Sequence, residues 1–231
     1  MADALTTLER GLIVSCQPVR GGFLDAEEVV KRTAQAVISA GAVAVRIEGA
    51  RDLAAVVPHV AAPVVGLVKR QASVGEAFIT ATWNDLEVVL RSGAQIVAIE
   101  ATSRPSGLTL AEAIEAVHAR GRLVMADVST FEEGLAAWKD GADLVGTTLS
   151  GYTPASASSL VPDILLVAAL AQAGVRVIAE GHYDEPVTAA AAIEAGAFAV
   201  TVGSAITRPE HVTSWYLKAI AVAEISDAAS G

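Results

Sequence analysis

Short apolar runs recur eight times along the chain, and most of them stop abruptly at a polar or charged residue. They are Leu12–Cys16, Val43–Ile47, Val64–Val68, Ile96–Ile99, Leu123–Ala126, Leu144–Gly146, Arg176–Ala179 and Ala199–Val202. Runs of this length read as strands buried on both faces. Five are entered through a glycine, at Gly41, Gly93, Gly141, Gly174 and Gly196, where a left-handed residue closes a helix before the chain turns into a strand. Between the runs the spacing becomes helical. Thr109–Glu112 and Thr130–Glu133 have the spacing of a capping box. Leu110, Ile114 and Val117 then follow at helical intervals, and Gly121 closes that segment. Asp184 and Pro186 open a further helix ending at Gly196, and Pro209 begins the last one, whose apolar face is Val212, Trp215, Ile220 and Ala223. The alternation predicts the α/β class, as a single-domain (β/α)8 TIM barrel over residues 1–231 with a frayed tail from Ser226 to Gly231.

In such barrels chemistry gathers where the strands end, which selects Gln17, Glu48, Lys69, Glu100, Asp127, Thr147, Glu180 and Gly203. Lys69 follows the third strand and Glu180 the seventh, four strands apart and so on opposite sides of the axis. An ammonium and a carboxylate facing each other can take a proton from one face of a carbon and return one to the other, as a catalytic pair. After the eighth strand, Gly203 and Ser204 let backbone amides approach an anion and Arg208 adds charge; Gly181 gives a similar approach from the seventh. Gln17 and Asp127 suit hydrogen bonding to hydroxyls or a carbonyl, although Asp127 equally suits a helix cap. Arg46 lies inside the second strand, where a charge is costly unless paired or ligand-bound; Glu48, of the same parity, is the simplest partner.

Composition narrows the setting. Hydrophobic residues make up 53% and aromatics 4% of the 231 residues, and mean hydropathy is +0.50. The most apolar stretch, Leu53 to Val68, is broken by Pro58, His59 and Pro63, which argues against a membrane span. A net charge of −10 argues against nucleic acid or an anionic membrane as partner. One cysteine, Cys16, cannot form an internal disulfide, and residues 1–10 carry no signal-peptide core; a cytoplasmic location is the expectation. No His or Cys pair has metal-ligand spacing, so no metal site is expected. Cys16 reads as a small buried thiol rather than a nucleophile.

The segments Val14–Gln17, Ala44–Gly49, Val65–Arg70, Met125–Thr130, Gly146–Thr153, Val177–Gly181 and Val202–Arg208 together resemble the N-acetylmannosamine-6-phosphate 2-epimerase family. The resemblance runs in order from about Leu12 to Trp215, and Gly146–Thr153 and Val202–Arg208 are its most specific blocks. It implies a cofactor-independent enzyme of amino-sugar and sialic-acid catabolism that acts on a phosphorylated amino sugar. Lys69 and Glu180 match the catalytic pair. Gln17, Arg46 and Asp127 match substrate-binding positions, and Gly181, Gly203, Ser204 and Arg208 match the phosphate site. The chain departs from the family at Gln71-Ala72-Ser73, at Ile79-Thr80-Ala81-Thr82, in the loop 18–24, at Glu100 where an Asp is usual, and at His182 where a permanently basic residue is usual. His182 is thus a candidate to assist phosphate binding when protonated. Two other readings stay open: a Schiff-base aldolase on the same barrel, with Lys69 forming the imine, and a sugar-phosphate-binding protein without turnover. A homodimer also stays open.

Overall fold

Eight parallel strands close on themselves in chain order. They are β1 (Leu12–Ser15), β2 (Ala44–Glu48), β3 (Val64–Leu67), β4 (Ile96–Glu100), β5 (Leu123–Asp127), β6 (Leu144–Gly146), β7 (Val177–Glu180) and β8 (Ala199–Val202). The computed structural model describes residues 2–71, 77–156 and 159–228. Closure joins β1 to β8, with Leu12 opposite Val200 and Val14 opposite Val202. The helices are α1 (Ala2–Leu8), α2 (Glu27–Ser39), α3 (Ala50–Val56), α4 (Trp83–Ser92), α5 (Leu110–His118), α6 (Phe131–Lys139), α7 (Ile164–Gln172), α8 (Pro186–Glu194), α9 (Ser204–Thr207) and α10 (Pro209–Ala228).

Alternation along each strand divides the apolar residues into two sets. Ile13, Ala44, Val65, Leu67, Ile96, Ala98, Leu123, Met125, Leu144, Ile178 and Ala199 pack together inside the barrel. Their neighbours of opposite parity, such as Val14, Val45, Val97 and Val124, meet the surrounding helices. Leu8 of α1 is fully buried with the interior set, and Ala4 and Leu5 pack against it. The helix therefore closes the N-terminal end of the barrel, a role the hydrophobic pattern did not reveal.

Both capping boxes form: Thr109 accepts from the Glu112 amide and Thr130 from that of Glu133, and each glutamate returns a bond to its cap residue. The helix expected to open at Asp184 instead has Glu185 at its N-cap position, without a side-chain cap. His182 has a left-handed φ of +60° and its carbonyl receives the Asp184 amide. That tight turn uses up the residues before the helix and delays its start. The last helix also departs from expectation. It runs through Ala228, past the predicted start of fraying, and it packs chiefly on α9. Val212 and Trp215 are half-buried, whereas Ile220 is exposed with Tyr216 and Leu217; the Ala223 side chain lies outside the described residues. No helix among the described residues is long and apolar enough to cross a membrane.

Candidate active site

The same inward parity that is apolar at the bottom of the barrel becomes polar towards the strand ends. Two or four residues beyond the apolar interior positions come Ser15, Gln17, Arg46, Glu48, Lys69, Glu100, Asp127, Thr148, Glu180, Thr201 and Gly203. A cavity of about 290 Å³ opens there, lined by Gln17, Lys69, Glu180, Gly181, His182, Gly203, Ser204 and Arg208 among others. Eight of the ten predicted site residues thus meet in one cavity. Arg46 and Asp127 are buried beneath it and do not line it.

Arg46 is the centre of that buried layer. Its Nη2 donates to Asp127 Oδ2 at 2.6 Å, and its Nη1 donates to Asp127 Oδ1 at 3.2 Å and to Glu180 Oε2 at 3.0 Å. Glu48 is not its partner. The Glu48 carboxylate accepts instead from the Lys69 amide at 3.1 Å and from Arg20 at 3.3 Å. Asp127 also accepts from the Thr148 hydroxyl at 2.7 Å, while Thr130 caps the following helix, so Asp127 is a charge partner and not a cap. Gly146 makes room for this: a Cβ there would meet Met125 Cε at 2.5 Å and Asp127 Oδ1 at 2.8 Å. Burial pulls the Arg46 pKa down, but the Asp127 and Glu180 carboxylates outweigh it and the net shift is upward. A buried guanidinium between two carboxylates stays charged and fixes both of them.

Glu180 is tied at backbone and side chain. Its amide donates to Thr147 Oγ1 at 3.0 Å, and the same hydroxyl donates to the Glu180 carbonyl at 2.9 Å. Burial raises its pKa, Asp127 adds to the rise, and Arg46 and Lys69 oppose it. Lys69 is shifted the other way: burial lowers its pKa, Arg46 lowers it further, and Glu180 and Glu48 oppose. Its ammonium has no hydrogen bond or ion pair among the described residues. The two shifts therefore run towards each other.

The other side of the cavity suits an anion. The amides of Gly181, Gly203 and Ser204 have no backbone partner among the described residues. Gly181, which lines the cavity, has φ +109°, a conformation free of strain only because it lacks a side chain. Arg208 donates from Nε to the Gln17 carbonyl at 2.7 Å, and among the described residues both Nη groups are left for a ligand. Burial lowers its pKa, yet a guanidinium remains cationic, so its lost hydration favours an incoming anion. Buried polar atoms without partners, His182 Nε2 and Thr201 Oγ1, also border this space, and such atoms mark where a ligand completes the bonding. The His182 ring stacks on Tyr152, centroids 5.0 Å apart.

Ser15, Thr148, Tyr152, Thr201 and Phe78 line the cavity too and are not among the residues that the strand ends select. Parity was the missed clue for Ser15 and Thr201, each two residues beyond an interior apolar position. Phe78 belongs to a loop and had no such clue. Cys16 is buried, and burial pushes its thiol up to about 12, so it is not an activated nucleophile. No group of His, Cys, Asp and Glu among the described residues could hold a metal ion.

Known proteins are similar to this one over nearly the whole chain. The family model described as "Putative N-acetylmannosamine-6-phosphate epimerase" matches residues 30–222. A protein of Yersinia pseudotuberculosis serotype O:3 (strain YPIII), named "Putative N-acetylmannosamine-6-phosphate 2-epimerase", is 47% identical over 213 residues, which is 92% of this chain and 91% of the relative. A protein of the same name from Proteus mirabilis (strain HI4320) is 47% identical over 210 residues, 91% of this chain and 90% of its own. The solved N-acetylmannosamine-6-phosphate 2-epimerase from Clostridium perfringens superposes with a TM-score of 0.89 at 36% identity, covering 93% of this chain and 95% of that one. With a family match across most of its length and relatives at this identity, the chain belongs to the N-acetylmannosamine-6-phosphate epimerase family.

Proposed function

We propose that this protein inverts C2 of an N-acyl-hexosamine 6-phosphate, interconverting N-acetylmannosamine 6-phosphate and N-acetylglucosamine 6-phosphate. The observation that carries the reading is the Lys69–Glu180 pair, on opposite strands of one cavity with pKa values displaced towards each other. In the ring-opened sugar the C2 proton is next to an aldehyde, so its removal gives an enolate open to reprotonation on either face. One of the pair takes the proton as base while the other, protonated, returns one from the opposite side. The free Gly181, Gly203 and Ser204 amides with Arg208 hold the phosphate. That remote binding positions the reacting end, so an unphosphorylated sugar is a poor substrate. Gln17 serves the O1 or acyl groups. Arg46 and Asp127 act from below the cavity, by holding the Glu180 carboxylate in place.

Proton NMR in heavy water tests this directly. Either epimeric sugar phosphate is expected to gain deuterium at C2 as it converts. Lys69→Ala and Glu180→Ala each lower the rate by about two to four orders of magnitude while still binding the sugar phosphate. Absence of C2 exchange in the wild type refutes the reading; borohydride trapping of Lys69 with substrate would favour the aldolase instead.

The assembly we infer is a homodimer. Tyr216, Leu217 and Ile220 of α10 are exposed. An apolar groove of about 420 Å³ runs between α8 and the β8–α9 segment, floored by Val200, Val202 and Ile193. Both are apolar surfaces that a second copy can cover. Light scattering should give the dimer mass, and Ile220→Asp should shift it to monomer.

A further inference from the structure

The acid–base pair and the anion corner account for the charged part of the cavity and leave one wall unexplained. Phe78 lines the cavity beside Lys69. Residues 78–80 fold back against the end of β3: the Arg70 amide donates to Phe78 O at 3.0 Å and the Thr80 amide to Val68 O at 2.8 Å, with Lys69 bridged to Ile79. This segment is gripped from behind by Glu100. One Glu100 oxygen accepts from the amides of Phe78 at 2.9 Å and Ile79 at 3.3 Å, while the Glu100 amide donates to Ile79 O at 2.9 Å. The other oxygen accepts from the Thr102 hydroxyl at 2.6 Å and pairs with Arg104 at 2.5 Å. The Arg104 guanidinium in turn stands 5.1 Å from the centroid of the Phe78 ring. The segment passes through buried Thr80 at φ +48°, a conformation that a β-branched residue keeps only when its surroundings over-determine it. Phe78 is therefore a fixed wall.

We propose that Phe78, held by Glu100 and Arg104, seats the C2 acyl substituent and selects which N-acyl group is turned over. This rests on the epimerase reading above. With the phosphate in the Gly181, Gly203 and Arg208 corner and the two faces of C2 turned to Lys69 and Glu180, the acylamino group extends sideways from the axis between them and meets the cavity wall. The acyl methyl is the apolar group of an otherwise polar ligand. Among the non-tyrosine apolar side chains lining the cavity, Phe78 is the one with surface to offer, since Ile79 and Leu149 are only 1% and 2% exposed. A rigid wall separates acyl groups by size, and one methylene is worth roughly 10- to 200-fold in a fixed pocket. The departure of Glu100 from the shorter Asp acquires a purpose here: the longer arm reaches the Phe78 and Ile79 amides.

The test compares N-acetyl-, N-propanoyl- and unacylated mannosamine 6-phosphate on wild type, Phe78→Ala, Phe78→Leu and Glu100→Asp. C2 deuterium exchange and calorimetric binding are both measured. The wild type should prefer the N-acetyl compound. Phe78→Ala should raise the propanoyl-to-acetyl ratio about 10-fold or more, with affinity for the unacylated sugar unchanged. Glu100→Asp should relax the ratio in the same direction by less. A ratio indifferent to Phe78, with exchange intact, overturns this inference alone. Binding without C2 exchange in the wild type overturns the epimerase reading, and the calorimetric ratio still decides for or against Phe78. Should Phe78→Ala fail to fold by circular dichroism, Phe78→Leu carries the comparison.

Discussion

The two ends of the barrel are made from the same strands and the same inward parity, yet they do opposite work. At the lower end Ile13, Ala44, Val65, Ile96, Leu123 and Ala199 fill the interior, and Leu8 of α1 seals it. At the upper end Lys69 and Glu180 line a cavity, with Arg46 and Asp127 buried beneath it. The lower residues are interchangeable in kind, since any side chain of the right volume satisfies burial. The upper ones are not: the charges of Arg46, Asp127 and Glu180 are tolerated only because each offsets another's lost hydration. Stability and chemistry are thus separated along the barrel axis by one or two residues per strand.

The separation is weakest at Arg46, which belongs to both halves. Arg46→Met leaves the Asp127 and Glu180 carboxylates buried without their cation, and breaking a buried pair in this way costs about 3–5 kcal/mol. Chemical denaturation should register that loss, and C2 exchange should fall at the same time because Glu180 is no longer held. Full activity in a destabilised Arg46→Met protein would mean that the layer is structural only. Leu8→Ala should lower stability by about 2–5 kcal/mol through the cavity it leaves. It should leave kcat/KM unaltered, since α1 lies at the far end; a drop in kcat/KM would join the two ends after all. The smallest effect is one of shape. Base catalysis by Lys69 requires its neutral form, which accumulates as pH rises through its lowered pKa. Glu180 as acid requires its protonated form, which is lost as pH rises through its raised pKa. The kcat/KM profile should therefore be a bell narrower than ordinary values of about 4.3 for Glu and 10.4 for Lys would give.

The strands were legible almost to the residue because they are buried on both faces and end on a polar side chain. The structure has Leu12–Ser15 for the run Leu12–Cys16 and Val177–Glu180 for Arg176–Ala179. The capping boxes were legible because their bonds are local. What escaped depends on distant partners. Arg46 was matched to Glu48 by parity on its own strand, whereas its carboxylates come from β5 and β7. Glu100 stood out as a strand-end residue and as a departure, but its role depends on a loop some twenty residues earlier. The apolar face drawn on α10 followed the spacing well enough, but the spacing could not say that the helix would stand against α9 with Ile220 exposed. Of the three residues at the Gln71-Ala72-Ser73 departure, Ala72 and Ser73 lie outside the described residues.

The plug formed by α1 fixes how the molecule can be handled as a material. Leu8 is anchored in the barrel floor, and the Arg10 amide is bonded to Phe198 O at 2.6 Å just ahead of β8. A tether placed ahead of α1 consequently leaves from the closed end, opposite the mouth bounded by Lys69 and Arg208. Attachment to a bead or electrode through the N-terminus would present every molecule mouth outward, free to exchange small ligands with the bath. Attachment through the β1–α2 loop, whose Arg20 reaches Glu48 beside Lys69, would turn the same mouth against the support.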